Sequence, residues 1–176
     1  MVSRTILTYD GMQGAPDDGL RRELLGGDLY VSPAPSPSHQ RLVRALLIVL
    51  NAYAEQHGGE AFDSPIDVVF SQTDVVQPDV VYFAMDRLFV IGEKNIQGAP
   101  SLIVEVLSPS SSDVDPGRKL ATYARHGVPE YWIVDPATRI VIAHAEPSDD
   151  SYQRVVRDPD GAIEAITLPD LRFVLA

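Results

Sequence analysis

The chain has 176 residues, 45% of them apolar, with 25 acidic against 14 basic residues and no cysteine. The apolar fraction argues against disorder, the lack of cysteine excludes a disulfide framework and a thiolate zinc site, and the length predicts one domain, residues 1–176, with a sizeable core. A formal charge of −11 works against a generally basic nucleic-acid surface, but Arg41, Arg44, Arg87, Lys94, Arg118, Lys119 and Arg125 are available for a local positive rim.

Residues 1–19 read as a polar, loop-like lead with a short helix near Tyr9–Met12. Met1 to Thr5 lacks the basic-then-apolar pattern of a secretion signal. The longest apolar run, Leu42 to Ala54, is interrupted by Arg44 and Asn51, so no membrane span is expected and a cytoplasmic location follows. Arg21 to Val31 predicts a hairpin turning at Gly26-Gly27. The proline-spaced stretch Ser32 to Ser38 then feeds a helix, with Ser36 as its cap and Pro37 in its first turn. Leu42, Leu46, Val49 and Tyr53 form the apolar stripe of that helix, which ends before Gly58-Gly59.

Strands are expected over 60–63, 65–71 and 74–83, the last two separated by a turn at Gln72-Thr73. A polar connection over 84–100 leads into the strand Leu102-Ile103-Val104-Glu105-Val106-Leu107, which stops at the small-residue loop Ser108 to Ser112. Asp115 then caps a second helix, with Pro116 in its first turn and Gly127 at its end. Strands follow at Glu130–Val134, Arg139–Ala145 and Tyr152–Val156, and a short C-terminal stretch is expected to complete the sheet. The fold class is α/β, with a curved mixed sheet flanked by helices.

Asp79 and Glu105 each sit inside an apolar strand. Alternation sets Asp79 on a face with Val75, Val81 and Phe83, and Glu105 on one with Ile103 and Leu107. An ionised carboxylate there costs several kcal/mol unless it is paired, hydrogen-bonded or bound to metal. Two that converge to about 4 Å repel by about 4 kcal/mol at an effective dielectric of 20, a penalty that a divalent cation removes. The alternative for each is a strand-end or salt-bridged acid.

Glu23 in the hairpin and Asp67 in Ile66-Asp67-Val68-Val69-Phe70 are further candidates, the latter either a surface strand acid or one brought toward Asp79 by a neighbouring strand. Lys119 is one of only two lysines, and a cation in the first turns of a helix is electrostatically disfavoured, so its position asks for a reason. An ammonium aimed at the acids could orient a water or stabilise developing charge; the alternative is a solvated lysine in the Arg118-Lys119 pair. Tyr123 faces the same way one turn on, and is expected to pack at the helix edge. His39 and Gln40, in the first turn of the long helix, are expected to be exposed. His57, His126 and His144 have no metal-ligand spacing. Neither a nucleophile elbow nor a phosphate loop is present.

Glu23, Gln77-Pro78-Asp79, Val104 to Ser110 and Gly127 to Pro136, together with the segment Ser32 to Gln40, resemble the Uma-two family of restriction-endonuclease-like proteins, and the resemblance runs from about residue 5 to the C-terminus. It implies a PD-(D/E)XK nuclease core, a four-stranded mixed sheet flanked by helices, with one or two Mg²⁺ ions (Mn²⁺ substituting). Asp79 and Glu105 would be the metal ligands and Glu23 the acid from the N-terminal element. The lysine expected two residues after the glutamate is Leu107 here, and Lys119 is its expected replacement from the next helix. The expected activity is endonuclease cleavage of DNA by Glu23, Asp79, Glu105 and Lys119. A two-fold homodimer would present two sites to a duplex. The alternatives are a non-catalytic nuclease-fold module that binds nucleic acid or a partner protein, and a metal hydrolase acting on a smaller substrate.

Overall fold

The computed structural model describes residues 6–14, 18–107 and 116–175. After a single helical turn, α1 (Tyr9–Met12), the hairpin forms as β1 (Arg21–Leu25) and β2 (Asp28–Ser32). Gly26 and Gly27 turn it at φ 61° and 77°, the left-handed pair that a two-residue hairpin turn requires. Helix α2 (Pro37–His57) starts where expected, with Ser36 Oγ accepting from the His39 amide at 3.3 Å. Its fully buried face is His39, Val43, Leu46, Leu50 and Tyr53; Leu42 and Val49 of the expected stripe flank that face and pack half-buried against the same core. Gly58 closes the helix at φ 79°. A Cβ on Gly59 would collide with the Phe83 carbonyl oxygen, so the strand that follows approaches closely only with glycine there.

That strand is β3 (Glu60–Asp63). The expected strand over 65–71 shrinks to β4 (Val68–Val69), and the one over 74–83 divides into β5 (Val75–Val76) and β6 (Val80–Phe83). Proline 78 has no N–H to give a ladder, and the break falls at Gln77-Pro78-Asp79. The pieces on either side join different sheets. β5 lies in a four-stranded antiparallel sheet of order β2-β1-β5-β4. β6 lies in a six-stranded mixed sheet of order β10-β9-β8-β7-β6-β3. The connection over 84–100 contains a 3₁₀ helix, Met85–Val90, and buries Ile96.

β7 (Leu102–Val106) is buried along its whole length and runs parallel to β8 (Glu130–Asp135), the two joined through α3 (Pro116–Arg125). The expected loop Ser108 to Ser112 and the cap at Asp115 lie outside the described residues; Gly127 follows α3 at φ 71°, as expected of its stop. β9 (Ile140–Ser148) and β10 (Ser151–Asp158) run longer than expected. The C-terminal stretch does not complete the large sheet: β11 (Ala162–Glu164) pairs with β12 (Arg172–Val174) as a separate two-stranded sheet. The large sheet is thus covered on both faces. Val43, Leu46 and Leu50 of α2, with Phe173 and Leu175, pack on Val80, Tyr82, Val104, Trp132 and Val134. Tyr123, Ala124 and Val128 pack on the other face against Val81, Ile103 and Tyr131, together with Leu25, Val68 and Val76 of the small sheet. Among the described residues no helix is long and apolar enough to cross a membrane.

Candidate functional site: acids and cations where the two sheets meet

Asp79 lies at the crossing of Gln77-Pro78-Asp79 from one sheet to the other. Continuing the antiparallel register of β6 and β7 one step past Val80↔Val104 sets Asp79 opposite Glu105, on one face of the sheet. The second acid thus comes from the same sheet, and the remaining groups come from β1 and from the two long helices.

Glu23 and Arg21 share a face of β1, two residues apart. Glu23 is 1% exposed, and its Oε1 accepts from the Gln77 amide at 2.9 Å. Lys119, on α3, spans the two glutamates, its Nζ donating to Glu105 Oε1 at 2.8 Å and to Glu23 Oε1 at 3.0 Å. Tyr123, one turn further along α3, donates to the same Glu105 Oε1 at 2.6 Å. It is fully buried in the core rather than packed at the helix edge. Glu105 Oε2 and Glu23 Oε2 accept no hydrogen bond among the described residues.

Both oxygens of Asp79 are engaged. Arg21 Nη2 donates to Oδ1 at 2.7 Å and also to Ser64 Oγ at 2.9 Å; Oδ2 accepts from the Val106 amide at 2.8 Å and meets His39 Nε2 at 3.1 Å. His39 is buried, contrary to the expectation of exposure, because the inward face of α2 starts with it. Its Nδ1 is buried without a hydrogen-bond partner.

The electrostatics follow from these contacts. Burial works to raise the Asp79 pKa, but the His39 hydrogen bond and the Arg21 charge outweigh it and hold the carboxyl at about 2. Burial raises Glu105 above its usual range, against the pull of Lys119 and with Asp79 and Glu23 pushing the same way as burial. For Lys119, burial favours the neutral amine, yet Glu105 and Glu23 prevail and keep it an ammonium far above physiological pH. It is therefore a permanent cation and donor, not a base. Burial first, then the nearby acids, hold the Tyr123 phenol protonated. The His39 bond to Asp79 raises the imidazole pKa above 6.5 despite burial. Three acids are thus faced by Arg21, Lys119 and, when protonated, His39.

Asp67 does not reach Asp79. It accepts from Gln77 Nε2 at 2.8 Å and from the Tyr9 hydroxyl at 3.1 Å, so it steadies the residue whose amide holds Glu23. His126 pairs with Asp74 at 3.2 Å, His57 stacks on Tyr53, and His144 sits between Tyr131 and Tyr152. Arg21 and His39 are the members of the cluster that sequence reasoning missed. Period-two alternation outward from Glu23 would have found Arg21, and rephasing the α2 stripe on Val43 would have found His39.

No group of three or more His, Asp or Glu side chains among the described residues is arranged to hold a metal ion. A hard cation that keeps several waters and uses one or two carboxylates is compatible with such a place, and the oxygen donors opposite one another on β6 and β7 are of that type.

The profile of the Uma2 family, described as putative restriction endonuclease, matches residues 8–176, and the chain belongs to that family. No curated protein matches it. A solved structure with a similar fold is that of a putative nuclease belonging to DUF820 from Anabaena variabilis ATCC 29413. It is 21% identical and superposes with a TM-score of 0.76, over 96% of this chain and 94% of that one. The chain shares the fold of that protein, α/β with a mixed sheet between helices, and the large sheet carries six strands where the family resemblance implied four.

Proposed function

We propose that the protein is a metal-dependent endonuclease that hydrolyses DNA phosphodiester bonds at this cluster. The observation that supports the reading most is Lys119 Nζ held at 2.8 and 3.0 Å by Glu105 and Glu23, beside the Asp79–Glu105 pair. Asp79 and Glu105 would hold a Mg²⁺ ion, or Mn²⁺ in its place, with water completing the shell. When bound, the ion would supply an activated water and polarise the scissile phosphate. Lys119, always charged, stabilises negative charge that builds on the phosphate in the transition state. Glu23 anchors Lys119 and fixes its reach, and Tyr123 orients Glu105 so that Oε2 is the oxygen left for other partners. Arg21 and His39 hold Asp79 in place. For cleavage of both strands, a two-fold dimer would provide the second site.

Supercoiled plasmid and single-stranded DNA incubated with Mg²⁺ or Mn²⁺ test the proposal. Lys119→Met should cut at least about 10²-fold more slowly, the scale for losing one transition-state donor, while Lys94→Met, at an exposed position, cuts as the parent does. Equal rates for the parent and Lys119→Met would remove Lys119 from the chemistry.

The pairing of Asp79, Glu23 and Glu105 with Arg21 and Lys119 supports a second reading, a non-catalytic module that binds nucleic acid or a partner protein, with the acids and cations acting as a buried tie between the sheets. A parent protein that cuts no nucleic acid with any divalent ion would favour it.

A further inference from the structure

In this acid-rich chain most basic side chains of the expected positive rim are already committed. Arg118 pairs with Asp28 and donates to the Leu25 carbonyl, Arg125 pairs with Asp150, Arg87 donates to the Ala99 carbonyl, and Lys119 is locked between Glu105 and Glu23. Of the other three, Lys94, Arg41 and Arg44, the two arginines stand together. Both are exposed on α2, one turn apart, and neither has an ion-pair or hydrogen-bond partner among the described residues. With Gln40, Leu47 and Asp63 they line a groove of about 510 Å³. Two cations that close together repel, and among the described residues neither is ion-paired, although Asp63 lines the same groove, so the pair is open to an external anion.

Two of the residues that line the groove are chain neighbours of residues that hold Asp79. His39, which touches Asp79, immediately precedes Gln40 in the same helix. Asp63 immediately precedes Ser64, which accepts from the Arg21 guanidinium that holds Asp79 and whose amide donates to the Asp79 carbonyl. An extended polyanion lying along the groove is therefore led toward Asp79 and Glu105.

The geometry points to this groove as the track for the nucleic-acid backbone, with Arg41 and Arg44 each binding a phosphate that flanks the scissile one, and Asp63 as the group that limits affinity. This rests on the nuclease reading and names the surface by which the substrate is held. Guanidinium forks suit phosphate oxygens, and two of them a turn apart give a path rather than a single anion site. The Asp63 carboxylate in the wall of the same groove repels the same phosphates, which keeps binding weak enough for release.

Fluorescence anisotropy of a labelled short duplex, in calcium and over a series of salt concentrations, tests the track without cleavage. In the Arg41→Ala/Arg44→Ala double variant the slope of log K against log salt should shrink by about 1.8, or about 0.9 for each lost phosphate contact. Both positions are exposed and unpaired, so the variant should fold as the parent does. Arg154→Ala, at an exposed position on β10 at the far edge of the large sheet, should leave the slope unchanged. Asp63→Asn should bind more tightly than the parent. If the parent binds DNA and the double variant keeps its slope, the track is elsewhere; an Asp63→Asn protein no tighter than the parent overturns the path past that wall. A parent that binds no DNA but does bind polyglutamate assigns the groove to an acidic protein and overturns the track. A parent that binds neither sinks the nuclease reading along with it.

Discussion

Glu105 and Glu130 lie on neighbouring strands of the large sheet, both buried, on opposite faces. Glu130 is fully buried, and both its oxygens are taken by neutral donors: Trp132 Nε1 at 2.6 Å, the Ile166 and Thr167 amides, and the Thr167 hydroxyl at 2.7 Å. It clamps the segment before β12 onto the sheet. Glu105 has one oxygen shared by an ammonium and a phenol, and another with no hydrogen bond among the described residues. Burial alone therefore does not separate a structural acid from a candidate catalytic one. The kind of donor, and whether an oxygen is left over, does.

The largest expected difference is in activity. Glu105→Gln should lower DNA cleavage by about 10²-fold or more, whereas Glu130→Gln, corrected for the folded fraction, should cut like the parent. Equal losses in plasmid assays would break the contrast.

Stability should respond in the reverse pattern, with metal as the discriminator. Lys119→Met leaves Glu105 and Glu23 buried without their shared cation, and chemical denaturation without divalent ions should show a loss of about 3–5 kcal/mol. Mg²⁺ should restore much of it. Glu130→Gln turns an NH₂ toward backbone donors, a loss of about 1–3 kcal/mol that Mg²⁺ should not touch.

Ion binding should also appear in the parent as a stabilisation of about 2.7 kcal/mol at a hundred times the dissociation constant. Thermal-shift titration should find it intact in Glu130→Gln and gone in Asp79→Asn. A full shift in Asp79→Asn would locate the ion away from β6.

The smallest effect is in the pH dependence of the metal-free protein. The Glu105 carboxyl, raised in the fold above its usual 4.5, contributes stability that is fully present below pH 4.5 and is lost as pH rises through the folded value. Urea midpoints of Glu105→Gln should therefore fall less than those of the parent over that rise. A parallel pair of curves would mean that Lys119 fully offsets the burial of the charge.

Much of this was legible in the chain because local rules were decisive. Gly26-Gly27 fixes the hairpin, Ser36-Pro37 starts α2, and an acid amid Leu102 to Leu107 marks β7. Asp79, Glu105, Glu23 and Lys119, singled out from the sequence, do converge in space. What stayed hidden was non-local. The break at Pro78 sends two halves of one apolar run into different sheets, a choice that periodicity does not contain. Asp67 reads from the sequence either as a surface strand acid or as one brought toward Asp79, and its oxygens instead accept from Gln77 and Tyr9. Burial of His39 depended on the rotational phase of α2, which Leu42 and Val43 leave undecided until the sheet is in place.

The segment Gln77-Pro78-Asp79 has a further consequence for how the protein comes apart. Asp79 and Glu105 belong to the large sheet, Arg21 and Glu23 to the small one, and the small sheet, with four short strands against six, is held to α3 and the turn after it by Lys119 on Glu23, Arg118 on the Leu25 carbonyl and on Asp28, Asp74 on His126, and the packing of Leu25, Val68 and Val76. Proteins open in cooperative units, and the unit with fewer ties opens at lower free energy. Amides of β1 and β5 should exchange with solvent earlier than those of β7 and β8, at denaturant concentrations where the large sheet is still protected. The cluster would then be dismantled while most of the chain remains folded, so that the working lifetime of the protein is set by its weaker seam rather than by its core.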